Sequence, residues 1–420
     1  MTEGKETLLA WIERDRERLI DFLSRFIQAR SPNPPGDTLA AAAHVRAFLE
    51  AEQLPYEVVS VQPEMPNIIG AFSGREPGRH LVLNGHMDVF PVNEADGWSQ
   101  DPWSGAVVDG KIWGRGAVDM KCGTTASLFT YAYLHRLREH LRGRLTLTVV
   151  SDEETFGPFG ARHLIEHRPD VRGDCCLSGE PSDPSTVRFG ERGLLWARFT
   201  VRTRGGHGAY PHMSESATKL AAALIADLES LTRMDTPAPG NVGAALHRST
   251  EVIERALGAG AAAIIQTITV NIGVLSGGLK VNMIPSECVV EADIRLPVGV
   301  ERERIMDALQ SILARHPQTT MTEMNFTAPN WCDPEHEMVR LIRANAKALS
   351  GEEPQPMIGL GATDMRLWRY RGIPAYVYGP SPRGMGSVDE HVEIAEFLHV
   401  VRSHALSAYD YLTCIEEKLS

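Results

Sequence analysis

Three apolar runs in this chain each stop abruptly at acidic or imidazole side chains, and that pattern constrains the fold more than any other feature. Residues 79–84 run into Gly85-His86-Met87-Asp88, residues 144–151 into Asp152-Glu153-Glu154, and residues 173–178 into Gly179-Glu180-Pro181. A fourth block, Gly114-Arg115-Gly116-Ala117-Val118-Asp119-Met120-Lys121, lies between them. Apolar runs of this length read as buried strands. A lone carboxylate is costly to bury, so charged groups gathered at strand ends need a partner or a cation. Oxygen ligands with one or two imidazoles suit zinc or a similar divalent ion. The chemistry this implies is metal-assisted hydrolysis.

At 420 residues the chain exceeds what one hydrophobic core usually serves, so two domains are expected. Helical periodicity covers 5–30, with Leu8, Trp11, Ile12, Leu19, Phe22, Leu23 and Phe26 on one side, until the Pro-rich stretch 31–36 stops it. A helix follows at about 38–53 and strands near 55–61, 67–73, 79–84, 144–151 and 173–178, with helices at about 122–140 and 158–167 between the later ones. This alternation predicts an α/β domain with a mostly parallel sheet, whose ligands sit beyond the carboxyl ends of the strands. From about 190 the order becomes strand 193–203, helix 214–232, strands 267–276 and 286–296, helix 301–315 and strand 319–327. That β-α-β-β-α-β order predicts a ferredoxin-like α+β unit. Residues 236–240 and the Ala-rich 255–264 read as an insertion inside it. A closing helix is expected at about 394–417. The organisation is therefore a catalytic domain in two parts, 1–188 and 329–420, interrupted by a smaller domain at 189–328.

Charge and cysteine usage narrow the classes. The formal net charge of -12 argues against nucleic acid as a partner, because phosphates require a basic face. No run reaches the length of a membrane span, and the charged stretch 1–18 lacks a signal-peptide core. The six Cys show no C-x-x-C spacing, and Cys175-Cys176 sits in an apolar run, so a reducing, cytoplasmic setting is expected. No dinucleotide fingerprint, P-loop or G-x-S-x-G elbow occurs in the chain.

Each block has its own chemistry. Residues i and i+2 of a strand face the same way, so Asp88 is expected to hold the His86 imidazole in the tautomer a metal needs. Gly114 and Gly116 permit close backbone approach, and Asp119 offers two oxygens that can bridge two cations. Adjacent Glu153 and Glu154 point in different directions, so one can bind a metal while the other moves a proton. Taken singly, the same residues also fit surface turns, and the acidic pair fits a helix start.

In order and spacing these blocks resemble the M20 family of metallopeptidases and deacylases. The resemblance covers nearly the whole chain and includes Gly205-Gly206-His207-Gly208-Ala209-Tyr210-Pro211, Val281-Asn282-Met283-Ile284-Pro285 and Asp293-Ile294-Arg295-Leu296-Pro297. It implies a zinc-peptidase-like catalytic domain with an inserted lid through which the chain forms a homodimer. It implies two divalent metal ions, zinc, with cobalt or manganese as alternatives, held by His86, Asp119, Glu154 and Glu180. Glu153 would be the general acid/base, and the Asp119–Met120 peptide would be cis. His207 would reach the oxyanion from the partner subunit, while Asn282, Arg295, Gly361 and Thr363 would hold a substrate carboxylate. Two departures stand out. Gly386 occupies the position of the usual last His ligand, so His391 is expected to take that role through a shifted loop. Phe156 and Phe159 stand where small residues are usual, as wall or as core. The expected function is hydrolysis of an amide in an N-acyl amino acid, with dipeptidase or carboxypeptidase action as the alternative on a short peptide, and a non-catalytic metal-stabilised binding protein as a remote one.

Overall fold

The computed structural model describes residues 2–414. Its largest sheet has nine strands. Eight follow the order Glu57–Ser60, Pro66–Ser73, Arg142–Val150, Glu76–His86, Cys175–Ser178, Ala375–Val377, Thr186–Glu191 and Asn330–Trp331, and Gln355–Gly359 pairs with Thr186–Glu191 off that path. The four central strands, Arg142–Val150 to Ala375–Val377, are mutually parallel, as their apolar, two-sided burial requires. Pro66–Ser73 and Thr186–Glu191 each meet that parallel group antiparallel, so the sheet is mixed rather than purely parallel.

Register decides where the acidic blocks go. His86 lies opposite Val150, and Asn84 opposite Ser178. The residues that follow each strand therefore emerge side by side at one end of the sheet. Helices Lys121–Arg136 and Ile394–Thr413 cover one face, with a core that includes Leu83, Leu147, Phe129, Phe397 and Val401. A smaller cluster around Trp368, Leu164 and Ile165 covers the other.

Strands Gly193–Arg202, Thr269–Gly277, Glu287–Leu296 and Thr319–Thr327 form a separate antiparallel sheet. Its spatial order, with the first strand between the third and the fourth, is that of a ferredoxin-like unit. Helices Ala217–Leu228 and Arg302–Leu313 pack on it to make their own core, including Phe199, Leu224, Ile294 and Leu309.

Three expectations change. The helix expected over 5–30 breaks at Asp15 into Glu3–Arg14 and Arg16–Gln28, and the Asp15 carboxylate accepts from Arg14 and the Tyr133 hydroxyl. The stretch expected to hold an insertion, marked by 236–240 and the Ala-rich 255–264, contains helices Val242–Arg248, Thr250–Leu257 and Ala261–Ile265. These pack on the larger core through Val242, Leu246, Ile253 and Ile265. Their apolar faces match the large sheet, and Ser249 Oγ donates to Pro356 O at 2.8 Å. The closing helix spans Ile394–Thr413, and the expected continuation over 415–417 lies outside the described residues.

Helix Lys121–Arg136 approaches the sheet so closely that a Cβ on Gly123 would lie 2.1 Å from the Gly179 carbonyl oxygen. Backbone cannot move aside as a side chain can. Gly123→Ala is expected to destabilise by about 2–3 kcal/mol. Gly243→Ala, in a helix where the nearest atom is 3.5 Å from the new Cβ, is expected to be neutral or to stabilise by about 0.5–1 kcal/mol. Urea unfolding midpoints of the two variants, compared with the parent, check both.

Candidate metal centre

The sheet end holds an unusual shortage of hydrogen-bond partners. His86 is buried, and its Nε2 has no hydrogen-bond partner. That atom lies 3.3 Å from Asp119 Oδ1 and 3.5 Å from Glu180 Oε1. One ligand atom from each of the three residues falls within a 4.8 Å cluster. Burial opposes a charge on the His86 imidazole, yet Glu180, Asp119 and Asp88 outweigh it and push its pKa well above the usual histidine range. An orphaned imidazole nitrogen facing two carboxylates is the donor set of a divalent cation. These three residues fit one.

Glu153 and Glu154 stand beside this cluster. The Glu153 carboxyl is buried, with one oxygen lacking a partner, and burial followed by repulsion from Asp364 raises its pKa well above the carboxylate range. Arg366 Nη1 lies 3.6 Å from it. Burial and Asp119 likewise push Glu154 up. Glu180 is raised to about 7 and Asp364 to about 6, in both cases chiefly by burial. A cation among these groups would reverse the direction of the shifts.

The backbone of the acidic turn is held by Asp88. Its carboxylate accepts from the Glu153 and Glu154 N–H groups at 3.3 and 3.1 Å and from Asn33 Nδ2 at 2.9 Å. Asp88 also meets the His86 ring, through its backbone rather than its carboxylate. The His86 Nδ1 hydrogen bond runs to the Asp88 carbonyl oxygen at 2.8 Å, while the nearer carboxylate oxygen is 3.6 Å away. The turn also carries strain, with Asp152 at φ 69° and Phe156 at φ 53°.

Asp119 belongs to a loop organised by a residue whose role the sequence did not reveal. Glu390 is fully buried and accepts from Arg115 Nη1 at 2.6 Å and from the N–H groups of Gly116, Val118 and Asp119 at 3.1, 2.9 and 3.2 Å. Its only sequence signal was its place directly after Asp389 in the C-terminal block. The Asp119–Met120 peptide is cis.

His391 does not join the cluster. Strand His391–Glu393 pairs with Lys111–Trp113, and the His391 ring lies on Trp113 with centroids 4.4 Å apart, its Nδ1 on the Asp389 carbonyl oxygen at 2.8 Å. Strand pairing, not a shifted loop, sets its direction. Gly386 is left-handed at φ 70°, and a Cβ there would meet the Phe90 ring at 3.0 Å.

The cluster opens into a cavity of about 510 Å³ whose walls include Asp119, Glu153, Glu154, Glu180, Arg295, Gly361 and Thr363. Phe156 contributes to the wall rather than to the core, edge-on to Trp196 at 6.4 Å and under the Arg366 guanidinium at 4.7 Å. Arg295 is paired with Asp293 at 2.9 Å. The Thr363 hydroxyl donates to Glu191, so its proton is already committed. His207 and Asn282 lie elsewhere. Both are exposed, Asn282 O accepts from Gly208 N at 2.8 Å, and neither lines the cavity. Arg295 and Asn282, expected to act together, are therefore not brought together within one chain.

Comparisons with known proteins agree with this geometry. A sequence model described as peptidase family M20/M25/M40 matches residues 82–410. A succinyl-diaminopimelate desuccinylase of Cereibacter sphaeroides is 29% identical over 344 residues, covering 79% of this chain and 83% of that protein. Among solved structures, an M20 family metallo-carboxypeptidase, Sso-CP2 from Sulfolobus solfataricus, superposes with a TM-score of 0.79 at 18% identity, covering 99% of this chain and 100% of the other. The Bacillus subtilis YXEP protein, described as a dinuclear metal binding peptidase of the M20 family, gives 0.62 at 16% identity, covering 96% and 100%.

Removing one partner of a buried ion pair strands the other charge, at a cost of about 3–5 kcal/mol. Glu390→Ala is expected to lose that much stability and to weaken cation binding at least tenfold, because the Asp119 loop loses its anchor. His391→Ala is expected to keep cation affinity within threefold. Denaturant unfolding and calorimetric titration with zinc or cobalt measure both variants.

Proposed function

Since this chain belongs to peptidase family M20/M25/M40, and is a hydrolase with a candidate metal cluster, we propose that it cleaves the amide bond of an N-acyl amino acid with the help of divalent cations. The observation that carries this reading is the unpartnered His86 Nε2 facing Asp119 and Glu180 beside a spare buried carboxyl, Glu153. A purely structural site has no use for the spare group. His86, Asp119 and Glu180 would hold one cation, zinc first, with cobalt or manganese as alternatives. Asp119 and Glu154 would hold a second, more weakly, because no further imidazole stands beside them among the described residues.

When bound, the cation supplies Lewis acidity to water and to the scissile carbonyl oxygen. Glu153 takes the proton of the attacking water and returns it to the leaving nitrogen. Its position is held from the backbone by Asp88 and from the side by Arg366, which also donates to Thr363 O at 2.6 Å. Arg295, steadied by Asp293, reads the carboxylate beside the scissile bond. Phe156 and Trp196 line the cavity with apolar surface and exclude water from it. The Sulfolobus carboxypeptidase likeness keeps peptide cleavage as the alternative within the same chemistry.

The smaller unit would act as lid and homodimer interface. Its edge strand Thr269–Gly277 and the loop after it expose Leu275, Leu279 and Val281 at 60%, 90% and 101%. An exposed apolar edge strand is a template for pairing with another chain. His207 lies next to this edge, since Gly206–His207 pairs with Met283–Ile284. Dimerisation would thus bring His207 of the partner subunit, with Asn282, toward the cavity. A cytoplasmic location is supported by six free cysteines, four of them buried. No helix among the described residues is long and apolar enough to cross a membrane.

Glu153→Gln is expected to lower kcat by about 10²–10⁴-fold while cation affinity stays within threefold. Steady-state assays on N-acyl amino acids, read beside metal titration, test this; full turnover in the variant would remove Glu153 from the proton-carrying role. The double variant Leu275→Asp/Val281→Asp is expected to sediment as a monomer and to lose most of its activity. Analytical ultracentrifugation with parallel assays tests that.

A further inference from the structure

A second guanidinium lines the cavity, and no carboxylate among the described residues is in contact with it. Arg188 sits on strand Thr186–Glu191 with 7% of its surface exposed, and its side chain lines the same cavity as Arg295 and the acidic cluster. Its Nε is buried without a hydrogen-bond partner. No carboxylate lies within 4.0 Å of its guanidinium among the described residues. Glu191, the acid nearest in sequence, is already engaged by Arg369 at 3.0 Å and by the Thr363 hydroxyl. Gly359 supports the stem, since a Cβ there would lie 3.1 Å from Arg188 Cδ and displace it. Buried arginine is ordinarily paired, and an unpaired one costs several kcal/mol. A cation bound at the acidic cluster would remove the negative charge that now offsets it from a distance. The site is therefore built to receive an anion besides the one Arg295 reads.

We propose that Arg188 is a specificity-determining residue that binds a second carboxylate of the substrate, so that the preferred substrates are N-acyl amino acids carrying two carboxylates. This rests on the amide-hydrolase reading above. A carboxylate accepts two parallel N–H bonds from the guanidinium fork, and burial makes those bonds selective against a neutral group of the same size.

The test uses the full-length, zinc- or cobalt-loaded protein with Arg188→Met and Arg188→Lys. Binding of succinate and of acetate is measured by calorimetry. Turnover is measured on N-acetyl-leucine, with one carboxylate, and on N-succinyl-leucine and N-acetyl-glutamate, with a second on the acyl or the amine side. Arg188→Met is expected to weaken succinate binding about 10- to 100-fold and leave acetate within threefold. It should raise KM for at least one dicarboxylate substrate by a similar factor with kcat nearly unchanged, while N-acetyl-leucine is unaffected. Arg188→Lys keeps the charge without the fork and should fall between, which preserves the test if Arg188→Met does not fold. Equal effects on mono- and dicarboxylates, or none on either, would overturn the proposal. Arg188-dependent succinate binding without amide turnover would sink the hydrolase reading and the substrate assignment built on it, while supporting Arg188 as a carboxylate-binding residue. Turnover indifferent to Arg188 would do the reverse.

Discussion

Burial of several carboxylates at one end of the sheet is the constraint on which the rest of this structure turns. Glu153, Glu154, Glu180 and Asp364 are all held above their ordinary pKa range, each chiefly by burial; neighbouring carboxylates add to the shift, and His86 or Arg366 opposes it. Within 4.0 Å of them stand the His86 imidazole and the Arg366 guanidinium, with Arg188 farther off. A favourable charge pair at 4 Å returns about 4 kcal/mol at an effective dielectric of 20, while each buried ion costs several. The balance is unfavourable without a cation. The same molecule holds Glu390 with Arg115 and four backbone N–H groups, those of Gly116, Val118, Asp119 and Gly386. The contrast separates a carboxylate that holds the fold together from carboxylates left available for chemistry.

Positioning and reactivity are assigned to different side chains throughout the site. Asp88 spends its carboxylate on the backbone of Glu153 and Glu154, and its carbonyl oxygen on the His86 ring. Glu390 fixes the loop of Asp119, and Asp293 steadies Arg295. Left-handed backbone at Asp152 and Phe156 turns the acidic residues inward, and the aromatic wall is set by the same turn. Such strain persists only where surrounding bonds over-determine it, and here Asp152 accepts from Thr155 Oγ1 and Phe159 N at 2.7 and 3.0 Å.

The alternation of strands and helices was legible because it depends on periodicity, which is a local property. Strand 79–84 and helix 122–140 were found within a few residues of Glu76–His86 and Lys121–Arg136. His86, Asp119 and Glu180 were also legible, because polar groups at the ends of apolar strands stand out against their surroundings. The break at Asp15 was hidden, because the 3.6-residue pattern continues through it and only a contact with Tyr133, 118 positions away, singles that residue out. That the helices within 242–265 pack on the larger core was not legible, because composition does not say which apolar surface will cover a helix.

Local sequence was enough to determine the element types, the acidic and imidazole groups at strand ends, and the family to which the chain belongs, because each depends on residue pattern and order alone. Tertiary structure alone decided that His391 lies on Trp113, that Thr363 is committed to Glu191, that Glu390 anchors the Asp119 loop, and that Arg188 reaches the cavity unpaired. These depend on strand register and on pairings across more than 150 positions of chain in three of the four cases, such as Thr363 with Glu191 at a separation of 172. A side chain's identity says what bonds it can make. Only the packed molecule says which of them are already made.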